Sequence, residues 1–112
     1  MTIEQADKVD GMGIDKRGSE LVLLISDHLS WHNETDHVLS LEKKLDGYLQ
    51  FISSGQYLES VPQARGLPVR IKLVHEHQPT SSAREVLQAV ETQLNAMNIR
   101  FSYEELPVQQ NW

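Results

Sequence analysis

Residues 21–37, LVLLISDHLSWHNETDH, decide the fold that we expect for this chain. The first five residues are all apolar, which is typical of a strand that is buried on both faces in the centre of a sheet. A polar turn follows, and Asn33 then precedes Glu34 and Asp36, a pattern that favours an N-cap and the acidic first turn of a helix. The stretch therefore predicts a central strand that leads into a helix.

The predicted elements on either side follow from spacing and turn chemistry. Residues 9–15 read as a first strand, and the turn at 16–19, in which Gly18 can adopt positive φ, predicts a hairpin with 20–26. The helix that begins after Asn33 ends at residues 53–55. Its apolar stripe has helical spacing and comprises Val38, Leu41, Leu45, Tyr48, Leu49 and Ile52.

The second half of the chain repeats the alternation of strand and helix. Residues 69–75 alternate apolar and basic side chains, which predicts a half-buried strand. Ser82 and Glu85 form a predicted capping box for a second helix, which Asn98 ends. Residues 100–105 are the last predicted strand.

This order, β-β-α-β-α-β, predicts an α+β fold, a two-layer sandwich with a four-stranded mixed sheet. Right-handed crossovers place both helices on one face, with the last three strands parallel and the first antiparallel. The other face is open and exposes one of two apolar sets, Val22 with Leu24 or Leu21 with Leu23 and Ile25. A dimer partner or a peptide could cover that face, or the connection 56–66 or the tail could shield it.

Length and composition indicate one domain. The chain has 112 residues, of which 23% are charged and 39% hydrophobic, as in ordinary globular proteins. We expect a single domain at 9–106, a flexible polar segment at 1–8 and a loose tail at 107–112. No cysteine is present, and no apolar run approaches the ~20 residues of a membrane helix, so we expect a cytoplasmic protein with no membrane partner.

The net charge of −6 argues against nucleic acid as a partner, because the ten basic residues are scattered rather than clustered. The charge is uneven along the chain: residues 1–56 carry five basic and ten acidic residues (5 − 10 = −5), and residues 57–112 carry five and six (5 − 6 = −1). An acidic first half would steer a basic partner, and it is also typical of simple solubility.

Histidines and carboxylates follow the predicted parallel strands where they end. The carboxyl ends of parallel strands lie at one edge of a sheet, which is where ligands bind in such sheets. The sequence therefore suggests a metal site at this edge, for Zn²⁺, Ni²⁺ or Fe²⁺, from His28, His32, His75 and His77. The spacing matches no metal signature, and the alternative is that these are surface histidines at strand ends. No motif indicates another cofactor.

An enzymatic function is not predicted, since no catalytic motif is present. Ser26, Asp27 and His28 are adjacent, but neighbouring residues on a strand point to opposite faces, so they cannot form a triad. Trp31 has two interpretations: an anchor for a protein partner, together with Glu34 and Asp36, or a hydrophobic staple on the helix that it precedes. In the second case the two carboxylates complement the helix dipole.

Three segments, VDGMGID, SDHLSWHNETDH and YLQFISSGQYLES, resemble a family of short bacterial proteins with a domain of unknown function. The resemblance implies a bacterial, cytosolic, single-domain protein and assigns no site residue. The main prediction is therefore a non-enzymatic protein-interaction module, with a homodimer through the open sheet face as one form of it. The alternative is a protein that binds a metal ion or a small molecule at the histidine edge.

Overall fold

Residues 2–106 are described by the computed structural model of this protein, and they form four strands and three helices. In chain order these are β1 (Gly11–Ile14), β2 (Leu21–Asp27), α1 (Glu34–Ser53), α2 (Tyr57–Ser60), β3 (Val69–His75), α3 (Ser81–Ala96) and β4 (Ile99–Glu105). A short 3-10 turn at Pro62–Ala64 follows α2. The predicted loose tail lies outside the described residues.

The strands are ordered β1-β2-β3-β4 in one sheet. β1 is antiparallel to β2, whereas β2, β3 and β4 are parallel to one another. Each helical crossover therefore moves one strand further in the same direction, which places α1 and α3 on the same face. The predicted α+β fold with a mixed four-stranded sheet is confirmed.

The core lies between the helices and one face of the sheet. Leu21, Leu23 and Ile25 are fully buried in it, and burying such a side chain contributes about 1.5–3 kcal/mol. The open face consequently carries the other apolar set, Val22 and Leu24, which are half-buried. Most of the remaining core side chains come from β3, β4 and the two long helices, among them Ile71, Leu73, Phe101, Leu41, Leu45, Leu87 and Leu94.

Ion pairs, rather than a continuous apolar patch, occupy much of the open face. The Arg70 Nε atom lies 2.7 Å from Glu20 Oε1, and the Lys72 Nζ atom lies 2.6 Å from Glu104 Oε1. Arg100 Nη1 reaches the other Glu20 oxygen at 3.7 Å. Stems of these long side chains can cover apolar surface while their charges remain in solvent, which accounts for the partial burial of the apolar residues on this face.

The ends of the long helices are fixed by side-chain caps. Asn33 caps α1 as predicted, its Oδ1 accepting a hydrogen bond from the Asp36 amide at 3.2 Å. The predicted capping box of α3 is wrong, because the cap is Thr80, whose hydroxyl accepts from the Ala83 amide at 3.1 Å. α3 ends before Asn98, whose φ of 63° is the left-handed conformation that asparagine tolerates better than most residues.

Residues 2–8, expected to be a flexible segment, pack on the domain in this structure. Ile3 is fully buried, and its amide donates to the Ser26 carbonyl at 2.9 Å. Gly47 in the middle of α1 allows the segment to approach, since a Cβ atom there would lie 2.6 Å from the Ala6 carbonyl oxygen. The N-terminal segment thus completes one side of the core.

One buried lysine holds this segment in place. The Lys44 Nζ atom donates to the carbonyl oxygens of Thr2, Gln5 and Lys8 at 2.9, 2.7 and 2.6 Å. It also lies 2.8 Å from Asp10 Oδ1, and both side chains of this ion pair are 0% exposed. An ammonium group has three protons, so these four acceptors fully satisfy it.

No helix within residues 2–106 combines the length and the apolar character that crossing a membrane requires.

Candidate functional site

A buried acid–imidazole pair lies at the carboxyl edge of the parallel strands. Asp27 is the last residue of β2, and His37 lies in the first turns of α1. The Asp27 Oδ2 atom is 2.5 Å from His37 Nε2, and the side chains are 0% and 1% exposed. A charge-assisted hydrogen bond of this length is among the stronger polar contacts in proteins, so the pair ties the start of α1 to the end of β2.

Both imidazole nitrogens of His37 are engaged. Nδ1 lies 3.0 Å from the Ser30 carbonyl oxygen, which can only accept, so this nitrogen carries a proton. The second nitrogen, Nε2, faces the Asp27 carboxylate. The Trp31 ring stacks on the imidazole, with centroids 3.5 Å apart. Neither nitrogen is therefore free to accept a proton from a substrate, and the pair is built as a structural contact.

The turn after β2 is fixed by the same carboxylate. Asp27 Oδ1 accepts from the Leu29 amide at 3.1 Å, while its other oxygen faces His37. Ser26 lies on the opposite, solvent-facing side of the strand. The Ser26 and Asp27 side chains are thus directed to opposite faces of the sheet.

The four histidines suggested as metal ligands lie at the same edge of the sheet but in different surroundings. His28 is 41% exposed and its Nε2 lies 3.1 Å from Glu4 Oε1. His75 is buried, whereas His32 and His77 are exposed. Within residues 2–106, no three His, Asp or Glu side chains are grouped closely enough to hold one metal ion.

The residues suggested for partner binding make contacts within the domain. Trp31 is only 8% exposed; it stacks on the helix that it precedes, and its Nε1 donates to the His77 carbonyl at 3.2 Å. This geometry matches the hydrophobic-staple interpretation. Asp36 Oδ2 accepts from the Asn33 amide group at 2.8 Å, so that carboxylate supports the helix cap.

Glu34 links the N-termini of the two long helices. It accepts hydrogen bonds from the hydroxyl groups of Thr80 and of Ser82, the latter at 2.8 and 3.0 Å. These hydrogen bonds, from Thr80 first and Ser82 second, hold the pKa of the Glu34 carboxyl below its ordinary value. Glu34 therefore positions α1 against α3.

Besides Glu4 and Asp36, five of the ten carboxylates in residues 1–56 are used in this way. They bond to Lys44, to the 15–20 turn, to Arg70, to His37 and to Thr80, and they are Asp10, Asp15, Glu20, Asp27 and Glu34. Part of the negative charge of residues 1–56 is therefore engaged in contacts within the domain, and only the rest of it lies at the surface.

A cavity of about 390 Å³ opens next to His75, between the start of α3 and the end of β4. His75 pairs with Asp27 in the sheet register, so this cavity lies at the same carboxyl edge as the buried pair. It is the place where ligands bind in parallel sheets. Among the described residues, the His75 Nδ1 atom is buried and has no hydrogen-bond partner.

Spacing along α1 contains a signal that the sequence prediction missed. Lys44 is three residues after Leu41 and four before Tyr48, and His37 is four residues before Leu41. These are positions on one helix face. The burial of Lys44 and His37 could thus have been predicted from the apolar stripe of α1. The nearby charges of Glu42 and Asp46 favoured a surface position for Lys44 instead.

Together the fold and this edge define a small α+β domain in which buried polar groups mainly fix the helices and the N-terminal segment. The chain belongs to DUF6572, a family of unknown function, and the match covers residues 1–107. No curated protein and no solved structure matches the chain.

Proposed function

We propose that this protein is a non-enzymatic protein-interaction module that forms a homodimer through β4. The observation that carries the proposal is the position of this strand. β4 is seven residues long and, among residues 2–106, has a neighbouring strand on one side only. An unpaired strand edge presents a row of free N–H and C=O groups, which is a ready template for a strand from another chain.

The hydrogen-bond pattern defines which groups face the free edge. The Leu106 amide donates to the His75 carbonyl of β3 at 2.7 Å. Because backbone groups alternate in direction along a strand, the even-numbered residues of β4 bond to β3. Residues 99, 101, 103 and 105 therefore direct their N–H and C=O groups to the free edge.

A two-fold axis at Ser102 satisfies this pattern. Two antiparallel copies of β4 then place Phe101 opposite the partner's Tyr103 as a hydrogen-bonded pair. Arg100 lies opposite the partner's Glu104, in the closer, non-hydrogen-bonded type of pair. Opposite charges in that position contribute about 0.2–1 kcal/mol each, and the symmetry supplies two such pairs. The strand is self-complementary in this register.

The side chains required for this register are accessible. Arg100 is 65% exposed and Glu104 is 50% exposed, and both project from the open face of the sheet. Within one chain Arg100 lies 3.7 Å from Glu20 and Glu104 lies 2.6 Å from Lys72, so in the dimer Glu104 would contact Arg100 of the second copy in addition to Lys72. Dimerisation would join two sheets into one of eight strands with a continuous open face.

That continuous face is the surface that we assign to a further protein partner. Arg70 and Lys72 lie beside its half-buried apolar residues Val22 and Leu24 on the neighbouring strand, so this face combines apolar and charged side chains, as protein interfaces do. The engagement of both His37 nitrogens supports the non-enzymatic part of the proposal, since the buried acid–imidazole pair has no nitrogen available for proton transfer.

The test is sedimentation equilibrium of the wild type and charge variants over a range of protein concentrations. We expect a dimer for the wild type. Arg100→Glu and Glu104→Arg each place like charges opposite one another twice, which should weaken dimerisation by about tenfold or more. The double variant Arg100→Glu with Glu104→Arg restores opposite charges and should restore the dimer. Arg65→Glu, an exposed arginine outside β4, is the matched control.

A monomer at every concentration up to the high micromolar range would contradict the homodimer. So would a double variant that dimerises no better than the single variants, because the proposed register requires compensation. A dimer that Arg65→Glu weakens as much as Arg100→Glu would show that the association depends on overall charge. Circular dichroism of each variant establishes that the fold is retained.

A further inference from the structure

The cavity beside His75 has the size of a small-molecule site and is lined mainly by polar and charged side chains. Its volume of about 390 Å³ is within the range of about 300–1,000 Å³ that small-molecule sites occupy. It combines one guanidinium, two carboxylates, two amides, an imidazole, a phenol and a proline ring. The lining residues are His75, Gln78, Pro79, Arg84, Gln88, Tyr103, Glu104 and Glu105.

His75 is the group in this cavity that the fold leaves unsatisfied. It is 4% exposed, and its Nδ1 atom has no hydrogen-bond partner among the described residues. A buried polar atom without a partner is uncommon in native proteins and calls for one, from solvent or from a ligand. The Tyr103 ring lies at a tilt of 43° with its centroid 6.4 Å from that of His75, and it forms an aromatic wall beside the imidazole.

The charges in the cavity are separated rather than paired with each other. Gln78 lies between Arg84 and Glu105. Its Nε2 donates to Glu105 Oε2 at 2.9 Å, and its Oε1 is 3.4 Å from Arg84 Nη2. Glu104 is already paired with Lys72. The cavity therefore presents one cation, Arg84, and one carboxylate, Glu105, held apart by an amide.

We propose that this cavity binds a small zwitterion of the amino-acid type. Arg84 would hold the carboxylate of the ligand, since a guanidinium matches a carboxylate with two parallel hydrogen bonds. Glu105 would hold the ammonium group, and His75 would supply the polar wall between them. A ligand with both charges satisfies both ends, whereas a simple anion would also face the Glu105 carboxylate. The proposal is independent of dimerisation through β4.

The experiment is isothermal titration of the full chain with each of the standard L-amino acids. Acetate and methylamine serve as probes that carry only one of the two charges. In parallel, NMR of the histidine imidazole groups follows His75, which is assigned with the variant His75→Gln. We expect at least one amino acid to bind and to shift the His75 resonances, and acetate and methylamine to bind at least about tenfold more weakly.

Variants distinguish binding in this cavity from binding elsewhere on the protein surface. Arg84→Gln and Glu105→Gln should each weaken binding by about tenfold or more, because each removes one charge-assisted contact. Arg65→Gln, which removes an exposed arginine outside the cavity, should leave the affinity unchanged. Since Glu105 also lies in β4, sedimentation of the same samples measures dimerisation separately.

Three results would overturn the proposal. The first is the absence of any His75 shift with every amino acid at millimolar concentration. The second is acetate or methylamine binding as tightly as the best amino acid, which would assign the site to one charge alone. The third is an equal loss of affinity in Arg65→Gln and Arg84→Gln, which would show that binding follows the net charge of the protein.

Discussion

At the scale of single residues, the chain places a lysine where an apolar residue would be expected. Lys44 lies on the buried stripe of α1 between Leu41 and Tyr48, and its Nζ atom reaches three carbonyl oxygens and Asp10. Taking an ammonium group and a carboxylate out of water is expensive, and complete hydrogen bonding is what offsets the cost. The same atoms fix residues 2–10 to the domain.

Replacement of Lys44 by methionine should therefore destabilise the protein strongly. Asp10 would remain buried without its partner, and three carbonyl groups would lose a donor, so we expect a loss of about 3–5 kcal/mol in the free energy of unfolding. The matched control is the neighbouring Lys43→Met, an exposed site where we expect a change within about 0.5 kcal/mol. Urea unfolding measures both. Equal stability of the two variants would contradict the role given to Lys44.

Tyr48 makes the stability sensitive to alkaline pH. Its hydroxyl donates to the Leu24 carbonyl and accepts from the Asp10 amide at 2.9 Å. Burial raises the pKa of this phenol well above its ordinary value. At alkaline pH the folded state retains the Tyr48 proton, whereas the unfolded chain releases it. The contribution of Tyr48 to the free energy of unfolding is therefore fully present below the unfolded pKa of about 10 and declines as the pH rises above it.

The measurement is urea unfolding at several pH values between neutral and strongly alkaline. We expect the wild type to lose stability above a pH of about 10. Tyr48→Phe should be less stable at neutral pH, because the Asp10 amide and the Leu24 carbonyl lose their partner, and it should decline less steeply. Tyr57→Phe, at a half-buried site, is the control and should keep the alkaline decline. An identical slope in Tyr48→Phe and wild type would exclude this group as the cause.

At the scale of elements, α1 is shaped by what packs against it rather than by helix propensity. Gly47 lies inside a 20-residue helix, where glycine costs about 1 kcal/mol relative to alanine. The close approach of the Ala6 carbonyl explains it, because a Cβ atom would lie 2.6 Å from that oxygen. A clash at this distance between a Cβ atom and a backbone oxygen cannot be relieved by a change of rotamer.

Gly47→Ala should accordingly destabilise the protein, although alanine is the better helix former. We expect a loss of about 1–3 kcal/mol, as for overpacking elsewhere in proteins. Gln50→Ala, an exposed position of the same helix, should be neutral or slightly stabilising. Urea unfolding with amide hydrogen exchange would locate the effect at residues 2–8. A stabilised Gly47→Ala variant would mean that the N-terminal segment does not pack on α1 in solution.

The elements themselves were largely predictable from the sequence. The alternation at 69–75 and the apolar run at 21–25 predicted β3 and β2, because period and composition depend on local burial. The cap of α3 was not predictable, since Thr80 and Ser82 both suit the position and Ser82 instead donates to Glu34 across 48 residues of sequence. The buried pair of Asp27 and His37, ten residues apart, likewise depends on how the end of a strand meets a helix face.

At the scale of the whole molecule, dimerisation and stability should be linked. If two folded chains associate through β4 and unfolded chains do not associate, mass action makes the melting temperature depend on protein concentration. A tenfold increase in concentration changes the free energy by about 1.4 kcal/mol of dimer, or half of that for each chain. For a domain of this size that corresponds to a shift of about 2–4 °C.

Thermal melts of the wild type across two or more decades of concentration should therefore show a rising midpoint. The midpoint of Arg100→Glu should begin to rise only at protein concentrations about tenfold higher or more, because like charges would then face each other across the two-fold axis. The swapped variant, Arg100→Glu with Glu104→Arg, should regain the dependence, and Arg65→Glu should keep it. A constant midpoint for the wild type would mean that the domain is a monomer with a free β4 edge. An Arg100→Glu midpoint that rises over the same concentrations as that of the wild type would place the interface on another surface.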